Sequence, residues 1–150
     1  MKARYAKEFV ERRIAGSLSD LTDVVERLAV AFDAYRGLEP AWVVSCDEIL
    51  RWWGCGRSGV WTYYEAAREL RVQVVARSVE RGWFLETGAV YLRGATLWGS
   101  RPRSFDDPWL EEKFDPVDDW VDRNEPTIVL ELRAVIELHR PQVFKALCSP

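Results

Sequence analysis

Histidine, asparagine and glutamine are nearly missing from this 150-residue chain: His139 and Asn124 stand alone, and Gln73 and Gln142 are the only glutamines. There is no glycine motif that cradles phosphate, no G-x-S-x-G elbow and no histidine-rich metal pair. His139 lies on the apolar side of an expected helix and reads as a structural imidazole, so no catalytic role and no cofactor are expected. The three cysteines, Cys46, Cys55 and Cys148, are odd in number and lack Cys-x-x-Cys spacing. They read as thiols in a reducing compartment rather than as zinc ligands or a Cys46–Cys55 disulfide. No apolar run approaches the ~18 residues of a membrane span. The first residues, MKARYAKEFVERRIAG, carry Glu8 and Glu11 and lack the apolar core of a secretory signal. These absences predict a soluble cytoplasmic domain with no membrane partner. Lysine is scarce too, 4 against 17 arginines; with so few amides, this points to a thermophilic source or to genome composition.

What is present is 48% hydrophobic and 30% charged residues, with eight tryptophans. The net charge of -3 is unevenly spread. Residues 1–50 hold 7 basic and 9 acidic side chains, residues 51–104 hold 9 and 4, and residues 105–150 hold 5 and 11. All nine basic residues of the middle segment are arginines, whose planar forks suit phosphate oxygens and guanine edges. The same arginines are equally suited to pairing with Glu65, Glu69 and Glu80 on helix surfaces.

The most informative stretch runs from Ser45 to Arg71. Ser45 and Glu48 have capping-box spacing and predict a helix start at Ser45. Ile49 and Trp53 follow one turn apart, and Gly54 is expected to bend the chain at positive φ. Ser58 is placed to cap a second helix carrying Val60, Tyr63, Tyr64, Ala67 and Leu70. On Ile49, Trp53, Gly54, Cys55, Val60 and Tyr63 the segment resembles the helix-turn-helix family of DNA-binding proteins. Leu50 and Trp53 are bulkier than that family's usual residues, which implies a different crossing angle or separation of the two helices.

The flanks resemble the winged variety. Ala41-Trp42-Val43-Val44 reads as a strand, and Trp83-Phe84-Leu85 with Ala89-Val90-Tyr91-Leu92 reads as a β-hairpin around Glu86-Thr87-Gly88. Residues 72–79 read either as more helix, stopped by Gly82, or as a strand feeding the wing, with helix preferred for part of it. The expected fold is therefore mainly α with a small β-hairpin, a winged helix-turn-helix with additional N- and C-terminal helices. Residues 1–100 would form that domain, and the acidic, aromatic residues 101–150 would pack on it or make a dimer contact.

The resemblance implies double-stranded DNA as partner and a role in transcription. Arg57, Ser58, Trp61, Thr62 and Glu65 would face the major groove, with Arg57 or Arg68 reading guanine and the Thr62 methyl touching thymine. Arg81 and Arg93, at the base of the hairpin, would hold phosphates or enter the minor groove. Trp61 equally suits a protein anchor or inward packing. Around these elements the pattern predicts an amphipathic helix between Ser19 and Gly37 and a shorter one within residues 2–15, stopped by Gly16. A third would run from Asn124 to before Pro141, its apolar side offering a homodimer face. The segment from Asp106 to Asp122 would be an amphipathic surface element, a protein-docking element, or a cover folded back over the arginine face. The alternative function is a protein-interaction or inhibitory module that keeps the fold without DNA readout.

Overall fold

Tryptophan and valine favour strands in isolation, yet Ala41-Trp42-Val43-Val44 is the opening turn of a helix, because Trp42, Val43 and Val44 all reach the core from it. That helix belongs to an all-α arrangement. The computed structural model describes residues 4–148, and among them lie nine α-helices: α1 (Lys7–Ile14), α2 (Leu18–Ala31), α3 (Ala41–Gly54), α4 (Trp61–Ala66), α5 (Glu69–Glu80), α6 (Leu85–Gly99), α7 (Asp107–Arg123), α8 (Glu125–Leu138) and α9 (Arg140–Leu147). A 3-10 turn, Cys55–Arg57, joins α3 towards α4.

The expected β-hairpin is absent. Residues 85–92 begin α6, because Glu131 of α8 accepts from the backbone N–H groups of Glu86 and Thr87 and so satisfies donors a helix start leaves open. Gly88, expected to turn a hairpin, instead lets α6 approach Val79 of α5. Without a hairpin there is no wing, and the winged helix-turn-helix is replaced by a helical assembly.

Helix α3 is the central element, packing on α2, α5 and α8 and placing Val43, Val44, Ile49 and Trp52 in the core. It starts at Ala41, four residues ahead of the expected cap. Ser45 is therefore interior and hydrogen-bonds Ser78 of α5 at 2.6 Å. The expected helix between Ser19 and Gly37 corresponds to α2, which is capped by Ser17 with Asp20 as the reciprocal partner and ends at Ala31, short of Gly37. The N-terminal helix is α1; positions 2 and 3 of its expected range fall outside the described residues. Residues 72–79, open between helix and strand in the sequence, are helical throughout, and the helix stops before Gly82. They belong to a separate helix, however, since the backbone is extended at Ala67 and Arg68.

The C-terminal helices complete the same core. Phe114, Val117, Ile128, Leu132, Ile136 and Val143 are buried, and α8 and α9 both pack on α2. Tyr5 N donates to Leu147 O at 2.8 Å, tying the two chain ends together. His139 stacks on Trp42, centroids 4.5 Å apart, and its Nδ1 hydrogen-bonds Val135 O. It is a packed side chain between two helices.

Candidate functional site

The joint between α3 and α4 differs from the expected turn at three points. Gly54 is helical (φ -62°), and the chain reverses instead at Gly59, where φ is +95°. A Cβ at Gly59 would also lie 2.9 Å from the Trp61 ring, so space and backbone both require glycine there. Ser58 does not cap α4: its hydroxyl donates to Cys55 O, while the nearby Thr62 Oγ1 donates to Gly59 O. The cap comes from far along the chain. Val60 N, at the start of α4, donates to Asp118 of α7 at 2.8 Å.

Helix α4 is six residues long, and Tyr63 and Tyr64 point inward from it. Its exposed residues are Glu65 and Ala66, with Trp61 and Thr62 half-buried. Trp61 stacks on Trp98 of α6 at 6.1 Å, the first contact of an aromatic chain through Trp98, Phe105 and Trp109 to Phe114. Of the residues expected to face DNA, the structure groups Arg57, Ser58, Trp61 and Thr62 at one turn. Arg68 lies at the opposite end of α4, its Nη1 donating to Arg36 O. Arg81 caps α5 above the Trp83 ring, and Arg93 is exposed on α6. With no hairpin present, these two share no wing.

Helix α7 lies over the turn. Val121 approaches Gly56, and a cleft of about 490 Å³ beside it is lined by Trp53, Arg57, Val121, Asp122 and Glu125. Burial lifts the Asp118 carboxyl above its ordinary value despite the Val60 bond, and the neighbouring Asp115, Asp122 and Asp119 push in the same direction. The acidic segment thus takes the position of a cover on the turn, with Leu110, Phe114, Val117 and Val121 as its inner face.

A polar cluster behind the turn escaped the sequence reading. Arg71 of α5, its side chain 3% exposed, donates from Nε to Glu48 at 2.5 Å and from Nη2 to Asp47 at 2.9 Å. Its Nη1 donates to the carbonyls of Ala34 and Gly37, anchoring the α2–α3 connection. Tyr63 donates its one hydroxyl proton to Glu48, so the Tyr91 hydroxyl, 2.6 Å away, is the donor to Tyr63. Burial first, then Tyr91 and Glu48, raise the Tyr63 phenol far above its usual range, keeping it a neutral donor. Tyr64 donates to the Tyr91 carbonyl, a contact that requires Gly94 because a Cβ there would collide with the Tyr64 hydroxyl. The signal was in the text: Arg71 occupies a core position of the 71-74-75-78 stripe, and a buried guanidinium requires a carboxylate.

Between α3 and α4 this cluster floors a second cleft, of about 390 Å³, lined by Tyr35, Arg51, Thr62, Tyr63, Arg68 and Arg71 among others. Elsewhere, α8 turns Leu130 and Leu138 outward, 63% and 62% exposed, with exposed Ala134 midway between them. Leu85, 66% exposed, opens α6 next to Glu86, whose N–H donates to Glu131 of α8. Among the described residues no group of three or more His, Cys, Asp or Glu side chains is placed to hold a metal, and no helix is long and apolar enough to cross a membrane. Cys46 and Cys148 are buried free thiols, and Cys55 is a half-buried one. Comparison with protein-family models, curated proteins and solved structures finds no match to this chain.

Proposed function

We propose that this chain is a helical protein-interaction module that pairs with a second copy of itself through the outward face of α8, and that it does not read DNA sequence through α4. The observation that carries the reading is the stripe Leu130–Ala134–Leu138 with Leu85 at the start of α6, large apolar side chains left in water on two adjoining elements. Spacing of four residues sets the three α8 positions on one helical face. A two-fold axis through Ala134 sets Leu130 of each copy against Leu138 of the other when the helices run antiparallel, and alanine at the axis permits close approach. Glu131 and Glu137 flank the stripe but are engaged, Glu131 with α6 and Glu137 with Arg140.

Light scattering with the double variant Leu130→Glu, Leu138→Glu tests this. The wild type should show twice the 17.4 kDa chain mass and the variant a single-chain mass with an unchanged helical circular dichroism spectrum. A wild type of single-chain mass removes the pairing and this role for α8.

Electrostatic attraction to DNA is the second reading. Arg57, Arg77, Arg93 and Arg103 are exposed and have no ion-pair partner among the described residues. They stand on four different elements, an arrangement suited to phosphates rather than to base edges.

A further inference from the structure

We infer that the cleft between α3 and α4 binds a small organic monocarboxylate, with the acid group held by Arg68 and Arg51 and an apolar body seated among Tyr35, Ala66 and Ala67. The assignment begins with charge. Arg51, Arg68 and Arg71 line or floor the cleft, whereas the acids in contact with them are Asp47 and Glu48. One positive charge is left over, and it resides on Arg68, whose only side-chain hydrogen bond among the described residues is from Nη1 to the Arg36 carbonyl. A single surplus cation suits a monoanion better than a dianion.

Donor geometry agrees with the charge count. Arg51 uses Nε on Asp47, leaving both terminal nitrogens uncommitted at the mouth of the cleft. Arg68, which lines the same cleft, keeps Nε and Nη2 uncommitted. Arg71, by contrast, is bonded through all three nitrogens to Glu48, Asp47, Ala34 and Gly37 and serves as a rigid floor. Glu48 is held by Arg71 and Tyr63, so it presents no unbalanced charge to an incoming acid. Tyr35, Ala66 and Ala67 add an apolar and aromatic part to the lining, and a cleft of about 390 Å³ falls in the size range of small-molecule sites, roughly 300–1,000 Å³. A guanidinium pair above a packed polar floor, with an apolar lining, distinguishes this cleft from the one beside Arg57, where Asp122 and Glu125 offset the arginine.

Isothermal titration calorimetry on the full chain tests the inference with three probes of one shape: benzoate, phenyl phosphate and neutral benzyl alcohol. Benzoate should bind one per chain, benzyl alcohol should give no saturable heat, and phenyl phosphate should bind more weakly than benzoate. Arg68→Ala should weaken benzoate about tenfold or more, the scale of a lost charge-assisted hydrogen bond. Arg68→Lys should retain part of the affinity, and Arg93→Ala should leave it unchanged. Three results would overturn the inference: no benzoate binding by the wild type, equal affinity for benzyl alcohol, or an Arg68→Ala protein that still binds like the wild type. Tighter binding of phenyl phosphate would overturn the monocarboxylate assignment. Chain mass is measured separately, so failure here leaves the α8 pairing standing, and the reverse.

Discussion

Glu48 shows how one residue can be legible in sequence and still be misplaced. Three residues after Ser45 it has the spacing of a capping partner, and local rules assign it to a helix start. In the fold it is buried and accepts from Arg71 and Tyr63, an interaction that spacing along the chain cannot display. Removing one partner of a buried ion pair leaves the other charge without compensation, at a cost of about 3–5 kcal/mol. Total stabilities are about 5–15 kcal/mol, so Glu48→Ala should lower the denaturation midpoint severely. Glu48→Gln, which keeps one carbonyl acceptor for Arg71 and can donate its amide N–H to the Tyr63 hydroxyl, should lower it less. Urea titration followed by circular dichroism measures both; equal midpoints for Glu48→Ala and the wild type would show that Arg71 is held by its carbonyls and Asp47 alone.

Among the elements, amphipathic period was the reliable guide and the short β-prone runs were not. Helix α2 follows from its apolar spacing, whereas the stretch that forms α5 reads as either helix or strand, with Gly82 the stop of its helical reading. The runs 41–44 and 85–92 are helical because their side chains have a core to fill and because Glu131, distant in sequence, supplies the cap of α6. The turn of the α3–α4 unit behaves likewise, since Asp118 replaces the cap expected from Ser58. Asp118→Ala should cost about 1 kcal/mol, as loss of a helix cap does, whereas Asp118→Asn keeps an acceptor for Val60. The carboxyl of Asp118 is raised above 3.8 in the folded chain, so the folded form holds the proton more tightly than the unfolded form. Its favourable contribution is therefore complete below the unfolded value and declines as pH rises through the folded one. Thermal melts from acid to neutral pH should show Asp118→Asn gaining on the wild type over that interval and remaining at least as stable at neutrality. A variant that falls behind as pH rises would mean that the ionised carboxylate is what holds α7 to the turn.

At the scale of the whole molecule, charge by segment was readable but its placement was not. The arginine-rich middle and the acidic C-terminal part are plain in the text, yet only the fold sets α7 against the turn that bears Arg57. The same topology divides the expected DNA face, leaving Arg57 at the turn, Arg68 at the α3–α4 cleft, and Arg81 and Arg93 on α5 and α6. Burial of Tyr63 and Tyr64 uses the inner side of α4 for the core, and the outer side presents Glu65 and Ala66. This occupancy of α4 is what supports the proposal that it does not read bases.

The most direct measurement is fluorescence anisotropy of a labelled random duplex, titrated with the chain at low and at moderate salt. Beyond weak, salt-sensitive attraction with a Kd of about 1 µM or above, no binding is expected, and Arg57→Ala combined with Arg68→Ala should change it little. Tight binding that weakens steeply with salt and is abolished by that double substitution would contradict the covered turn and restore α4 as a reader of DNA.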